Sequence, residues 1–228
     1  MLSADEWRIL GTSLGVAGRA VVFSLPVAIA FAWALSRPRL PGKSVIDAVA
    51  HLPLVLPPVL VGFLLLMAFG RRGPVGSWLY DTFGVQLAFS AEGAALATAV
   101  MSFPLMVRAI RLSFEAAEPG LFEAAAMLRA GPWDRFVSMV LPLAGPGVAA
   151  GAVTAFAAGL GEFGAVITFA SNVPGKTQTL PLAIYAALQV PGGEALALRL
   201  AAISMTAAIV GLAAAEALQR WSRARLEG

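Results

Sequence analysis

The sequence predicts an all-α, polytopic membrane protein with about five transmembrane helices. Hydrophobic residues make up 59% of the 228-residue chain and charged residues 13%, whereas an ordinary soluble domain has about 45–50% and about 25%. A spanning helix needs about 20 apolar residues, so this length allows several spans but leaves no room for a separate soluble catalytic domain. We therefore expect residues 1–228 to form one membrane domain that is not an enzyme.

Five apolar stretches define the expected spans. The first is interrupted by Arg19, and the second has no formal charge. The third is short and needs flanking residues to cross a bilayer, and the fourth is followed by Glu162 and another apolar run to residue 175. In order, the stretches cover residues 12–35, 48–70, 93–107, 137–161 and 200–215.

The placement of the basic residues predicts the orientation of the spans. Cytoplasmic loops carry an excess of Lys and Arg, and here ten of the sixteen fall on one side and four on the other. The N-terminus is therefore expected outside and the C-terminus in the cytoplasm. Nucleic-acid binding is not expected, because it needs a clustered basic face. The ten are Arg37, Arg39, Lys43, Arg108, Arg111, Arg129, Arg135, Arg220, Arg223 and Arg225; the four are Arg8, Arg71, Arg72 and Lys176; Arg19 and Arg199 lie at or inside spans.

The scarcity of metal ligands and thiols limits the chemistry of the chain. There is no cysteine, and His51 is the one histidine. Disulfides, thiol nucleophiles and multi-histidine metal sites are thereby excluded. We expect no metal or other cofactor on this chain.

Prolines interrupt the second apolar stretch near its cytoplasmic end. Pro57 and Pro58 follow Pro53 in the segment 51–60, and each proline frees a backbone carbonyl. In a bilayer such groups need a protein partner or a water-filled cavity. The segment is therefore either a broken helix inside a bundle, at a pathway or gate, or a short interfacial turn before a regular helix.

Glu162 is the second candidate for a pathway or gate. It lies in the segment Gly159-Leu-Gly-Glu-Phe-Gly164, with Phe163 and Gly164 directly after it. A carboxylate within a membrane stretch is a functional candidate by default, and the glycines favour a bend. A structural role and a gating role for Glu162 both stay open. Contact with an anion is not expected, because like charges repel.

Hydroxyl side chains inside the spans are the remaining candidates for lining a pathway. They are able to donate hydrogen bonds to a passing solute, but Ser and Thr inside helices usually bond their own backbone. Both interpretations stay open for these residues, which are Ser102, Thr154 and Thr168.

The longest cytoplasmic connection contains a short amphipathic helix. Pro119-Gly120 and Gly131-Pro132 bound the segment 121–130. Its apolar stripe consists of Leu121, Phe122, Ala125 and Leu128, with Glu123 beside it. Such a helix either lies on the membrane surface or docks into a groove of a cytoplasmic partner.

The spacing of this connection resembles the EAA loop of ABC importer permeases. Glu123-Ala124-Ala125 is followed at the family's intervals by Arg129, Met139 and Leu141-Pro142. Arg129 stands where the family has glycine, with Gly131 two residues later, and Met139 stands for isoleucine. The resemblance implies a coupling loop over about 113–142. Its implied ATPase-coupling residues are Leu121, Phe122, Glu123, Ala124, Ala125, Leu128, Arg129, Gly131, Leu141 and Pro142.

Further segments along nearly the whole chain resemble the permeases of molybdate ABC importers. The resemblance implies a type I ABC importer permease (MetI-like) fold in the cell inner membrane. It also implies a homodimer, two cytoplasmic ATPase subunits that bind ATP and Mg²⁺, and an extracytoplasmic molybdate-binding protein. A sulfate or tungstate importer permease is the alternative within this class, and an ATP-independent secondary carrier or channel is the alternative outside it. The segments are 51–62, 70–73, 101–111, 160–165 and 191–194.

Overall fold

The computed structural model describes residues 2–37, 41–116, 131, 137–138 and 141–224, with only the backbone of residues 215 and 218–224. Within these ranges the chain is helical and has no β-strand, which confirms the all-α prediction. The helices are α1 (Ala4–Ser36), α2 (Lys43–Val55), α3 (Pro58–Phe69), α4 (Pro74–Phe83), α5 (Ala91–Glu115), α6 (Gly145–Leu160), α7 (Gly164–Phe169), α8 (Leu180–Leu188) and α9 (Glu194–Ala224). A single helical turn, Leu141–Leu143, precedes α6.

Three of the described helices, α1, α5 and α9, are long and apolar enough to cross a membrane. With 33 residues, α1 is roughly 50 Å long, which exceeds a hydrocarbon core of about 30 Å. Its first turn is fixed by a capping box, in which Ser3 Oγ accepts from the Glu6 N–H and Glu6 Oε2 accepts from the Ser3 N–H.

The second predicted span is broken. α2 and α3 meet at an angle of 114°, and together they bring the number of possible spans among the described residues to four. A residue before proline is pushed out of the helical region, and here Leu56 and Pro57 both precede a proline. Both are extended, with ψ of 144° and 132°. Two extended residues in a row produce the sharp bend.

The fourth predicted stretch and the apolar run that follows it form two shorter helices. α6 has 16 residues, which is short of a full span, and the chain continues as α7 after an interruption at residues 161–163. The expected count of five spans is therefore approximate, because the second stretch is built from a bent helix pair and the fourth contains a helix of only 16 residues.

Small residues allow α1, α5 and α6 to pack closely. A Cβ at Gly159 would lie 2.8 Å from Thr98 Cγ2, and one at Gly151 would lie 3.0 Å from the Met106 carbonyl oxygen. Ala17, which also faces Gly159, is completely buried. Close approach through small residues is the usual basis of helix packing in membranes.

The N-terminal part of α1 is also joined to α8 and α9. The buried Ser13 hydroxyl accepts a hydrogen bond of 2.7 Å from the Leu180 N–H at the start of α8. Arg199 of α9 donates to Glu6 Oε2 at 2.9 Å, and Glu6 is only 3% exposed. The first turns of α1 are thus held against the starts of α8 and α9.

Candidate functional site

The breaks of the two interrupted spans lie in contact. A Cβ at Gly164, the first residue of α7, would lie 2.6 Å from Pro58 Cβ and 3.3 Å from the Val59 nitrogen at the start of α3. Only glycine permits this approach. The sequence analysis singled out Pro58 and Gly164 separately, and the structure brings them together.

The contact continues one turn further along the same pair of helices. A Cβ at Gly62 would lie 2.6 Å from the Ala165 carbonyl oxygen and 2.8 Å from Thr168 Cβ. We call this contact region, formed by Pro58, Val59 and Gly62 of α3 and by Gly164 and Ala165 of α7, the junction. Gly62 is a residue that sequence reasoning did not single out, although its place in a proline-broken apolar stretch was a usable signal.

Glu162 caps α7. Its Oε1 accepts a hydrogen bond of 2.9 Å from the Ala165 N–H, one of the groups that a helix N-terminus leaves without a partner. Anionic groups are favoured at this end of a helix. The geometry supplies a structural role for Glu162, and a gating role stays a prediction.

Phe163 lies between the junction and α8. Its ring is 5.1 Å from the ring of Tyr185, with an interplanar angle of 52°. On the other side it packs against the apolar core that contains Val61, Val166 and Leu182. A movement of the α6–α7 break therefore displaces an aromatic contact with α8.

The hydroxyl candidates bond to their own helices. Ser102 is buried and donates to the Thr98 carbonyl at 2.8 Å. Thr154 is exposed and donates to Ala150 at 2.8 Å, and Thr168 donates to Gly164 at 2.9 Å. These hydroxyls keep acceptor capacity but use their proton locally, and their place on a pathway stays a prediction.

The two ends of the long connection between α5 and α6 are packed together. A Cβ at Gly147, near the start of α6, would overlap the side chain of Ser113 in the last turns of α5 and lie 3.1 Å from the Ala109 carbonyl oxygen. Leu141 and Pro142 lie in the helical turn just before. We call this contact between Ser113 and Gly147 the foot of the loop.

Most of the predicted coupling residues fall outside the described residues. Gly131 is described as an exposed residue without regular structure. The amphipathic segment itself stays a prediction; its residues are Leu121, Phe122, Glu123, Ala124, Ala125, Leu128 and Arg129.

An ion pair beside the foot of the loop was missed by the sequence analysis. Arg111 of α5 lies 3.1 Å from Asp47 of α2, measured from Nη1 to Oδ1, and 2.7 Å from Glu115, measured from Nε to Oε1. Opposite charges directly before the second apolar stretch and shortly after the third were the available signal. Among the described residues, no group of three or more His, Asp or Glu side chains is arranged to hold a metal ion.

Comparison with known proteins identifies the class to which this architecture belongs. The profile of a family described as "Binding-protein-dependent transport system inner membrane component" matches residues 24–224. The chain belongs to this family, and it is accordingly a multi-pass inner-membrane component of a transport system.

Relatives in the family include several molybdenum permeases. The chain is 55% identical over 225 residues to the molybdenum transport system permease protein ModB of Escherichia coli (strain K12), covering 99% of this chain and 98% of the relative. It is 48% identical to ModB of Haemophilus influenzae, covering 97% and 96%. Identity to the sulfate transport system permease protein CysT of Escherichia coli (strain K12) is 37%, covering 75% and 61%.

Solved structures confirm the fold. A bacterial alginate ABC transporter in complex with an alginate-bound periplasmic protein matches with a TM-score of 0.76 at 17% identity, covering 96% of this chain and 79% of that chain. An amino acid ABC transporter matches with a TM-score of 0.65 at 18% identity, covering 95% and 93%. The expected type I importer permease fold is therefore correct.

Proposed function

We propose that this chain is the membrane-spanning permease subunit of an ATP-driven importer that moves molybdate across the cytoplasmic membrane. The observation that carries the proposal is the 55% identity, over nearly the full length of both chains, to a molybdenum permease. Identity to the sulfate permease is lower and covers less of both proteins. The relation to molybdenum permeases is therefore the closer of the two.

In the proposed assembly, two copies of this chain combine with two cytoplasmic ATPase subunits and an extracytoplasmic molybdate-binding protein. ATP and Mg²⁺ bind to the ATPase subunits. The N-terminus lies outside and the C-terminus lies in the cytoplasm. The family description as a binding-protein-dependent component supports the need for a binding protein.

The segment around Glu123 is proposed to dock into the ATPase subunits. Movement of this segment reaches the membrane-spanning helices through the foot of the loop. At the foot, α5, which enters the loop, and α6, which leaves it, are in contact through Ser113 and Gly147. ATP binding then shifts the population between inward-open and outward-open states.

The junction is the proposed gate. It unites two helix breaks, and broken helices inside a membrane bundle are typical of substrate pathways. In the proposed cycle α3 and α7 meet at Pro58 and Gly164 in one state and separate in the other. Glu162 holds the start of α7 and does not contact the oxyanion, because two negative charges repel each other.

Uptake of labelled molybdate by proteoliposomes that contain the whole complex tests this function. We expect uptake only with ATP and the binding protein, with weaker competition by sulfate than by unlabelled molybdate. Stronger competition by sulfate or tungstate assigns the chain to another oxyanion. Uptake that continues without the ATPase subunits contradicts the proposal and favours a secondary carrier or channel.

A further inference from the structure

The ion pair between α2 and α5 lies where the cytoplasmic connection meets the broken span. Arg111 is four residues before the end of α5 and two residues before Ser113 at the foot of the loop. Asp47 is in the first half of α2, the helix that leads to the bend and the junction. The pair thus joins two helices through residues that are 64 positions apart in the sequence.

α2 has few other attachments to the described part of the protein. Ala50 is its only buried residue, and Ile46 packs against the core around Ile110 and Phe114. The second half of α2 borders a cleft of about 650 Å³, which separates Val49 and Pro53 from α1 and α5. The helix is therefore joined to α5 mainly through its first half, and the cleft leaves space beside its second half.

The pair itself has the geometry of a specific connection. The Arg111 and Asp47 side chains are 23% and 36% exposed, so the pair is partly shielded from water. Glu115 accepts from Arg111 Nε, and His51 Nδ1 lies 3.3 Å from the Asp47 carboxylate. Arg111 uses two different nitrogens for its two acidic partners, which fixes the direction of its planar guanidinium.

We propose that Arg111 and Asp47 are positioning residues that transmit movement of the coupling loop to the broken span α2–α3, so that ATP binding is converted into opening of the junction. This inference rests on the proposed function. The residues do not touch the substrate. Their role is to make α2 follow the last turns of α5.

The test compares Asp47→Asn with Glu92→Gln in the reconstituted complex. Glu92 forms a similar pair with Arg19, at 3.2 Å, at the opposite end of α5, and it serves as the matched control. Asp47→Asn leaves Arg111 paired with Glu115. We expect ATP hydrolysis to persist while molybdate imported per ATP falls by up to about fivefold, the upper end of what a partly exposed ion pair contributes. Glu92→Gln is expected to keep the wild-type ratio.

A cross-link provides the rescue. The chain has no cysteine, so Asp47→Cys with Arg111→Cys gives one defined site per protomer for a bis-thiol reagent of matching length. Cross-linking is expected to restore the import ratio of this double variant. An unchanged ratio in Asp47→Asn, an equal loss in Glu92→Gln, or no recovery on cross-linking overturns the proposal. If Asp47→Asn fails to assemble, the milder variant Arg111→Lys replaces it. Arg111→Lys is expected to lower the amount of molybdate imported per ATP by a smaller factor, and a wild-type ratio in this variant also contradicts the proposal.

Spin labels test the same inference without molybdate. Val45 in α2 and Leu112 in α5 are both exposed, and a single label at either residue gives one distance between the two protomers. In the complex with its ATPase subunits, ATP is expected to change both distances, and Asp47→Asn is expected to abolish only the change at Val45. Preserved movement at Val45 overturns the inference. The distance measurement needs no substrate. If the wild-type complex does not take up molybdate, that result therefore contradicts the proposed function and leaves the test of the ion pair intact.

Discussion

Gly164 and Pro58 lie so close that a methyl group added at Gly164 would come within 2.6 Å of Pro58 Cβ. The two residues are far apart in the sequence, and each lies at the break of an interrupted span. Their contact turns two local helix breaks into one structural feature. It also makes the junction sensitive to the smallest change in side-chain volume.

A methyl group at Gly164 is predicted to disturb the junction. Gly164→Ala forces α3 and α7 apart, and overpacking of this kind costs about 1–3 kcal/mol. We expect a lower thermal-unfolding temperature in detergent and reduced ATP-driven molybdate uptake. Gly161→Ala is the control, because its Cβ would make an ordinary contact of 3.7 Å with the Ala158 carbonyl oxygen. Equal behaviour of the two variants argues against a tight junction.

Glu162 is predicted to act through its side-chain oxygen as a cap and not through its charge. Glu162→Gln keeps an acceptor for the Ala165 N–H and is expected to retain most of the uptake. Glu162→Ala removes the cap, a loss of about 0.5–2 kcal/mol, and is expected to reduce both stability and uptake. If Gln is as harmful as Ala, the charge itself has a role, and gating becomes the better interpretation.

A methyl group at Gly147 is predicted to disturb the foot of the loop, and a second substitution at Ser113 is predicted to restore it. Gly147→Ala places a Cβ into the Ser113 side chain and is expected to weaken the response of transport to ATP. Ser113→Gly removes the atoms that clash, so the double variant is expected to recover. A double-mutant cycle on uptake measures this coupling. Gly211→Ala, with its nearest contact at 3.6 Å, is expected to be silent.

Thr177 is predicted to hold the loop between α7 and α8. Its side chain is completely buried; its hydroxyl donates to the Ser171 carbonyl at 2.8 Å and accepts from the Val173 N–H at 2.9 Å. Thr177→Val leaves both backbone groups without this partner, a loss of about 1–3 kcal/mol. Thr177→Ser keeps the hydroxyl. Thermal unfolding is expected to separate the two variants, and equal stability contradicts the assignment.

The helices and the class of protein were predictable because they depend on local sequence. Hydropathy located α1 and α5, and the proline pair located the break before α3, since a residue before proline avoids the helix. The family resemblance came from the spacing of Glu123, Leu141 and Pro142. These signals are read along the chain and need no knowledge of tertiary packing.

The site itself was predictable only in part. Pro58 and Gly164 were identified separately, but their contact depends on how two broken spans pack, and no periodicity encodes the 114° bend. The pairs Arg111–Asp47 and Arg199–Glu6 join helices that are distant in the sequence. Glu162 was identified as a charge in a membrane stretch, but its role as a cap depends on one hydrogen bond to Ala165.

Reversible closure of the junction is the most direct test of whether it is the gate. The chain has no cysteine, so Pro58→Cys with Gly164→Cys introduces a single pair. A Cβ at Gly164 would lie 2.6 Å from Pro58 Cβ, whereas the Cβ atoms of a disulfide are about 3.5–4.5 Å apart, so α3 and α7 must move apart by about 1 Å to form the bond. The reduced double variant is expected to show lowered ATP-driven molybdate uptake in proteoliposomes, as Gly164→Ala does. Oxidation is expected to stop the remaining uptake, and reduction is expected to return it to the level of the reduced variant. Full uptake with the disulfide quantitatively formed would show that the junction does not open during transport.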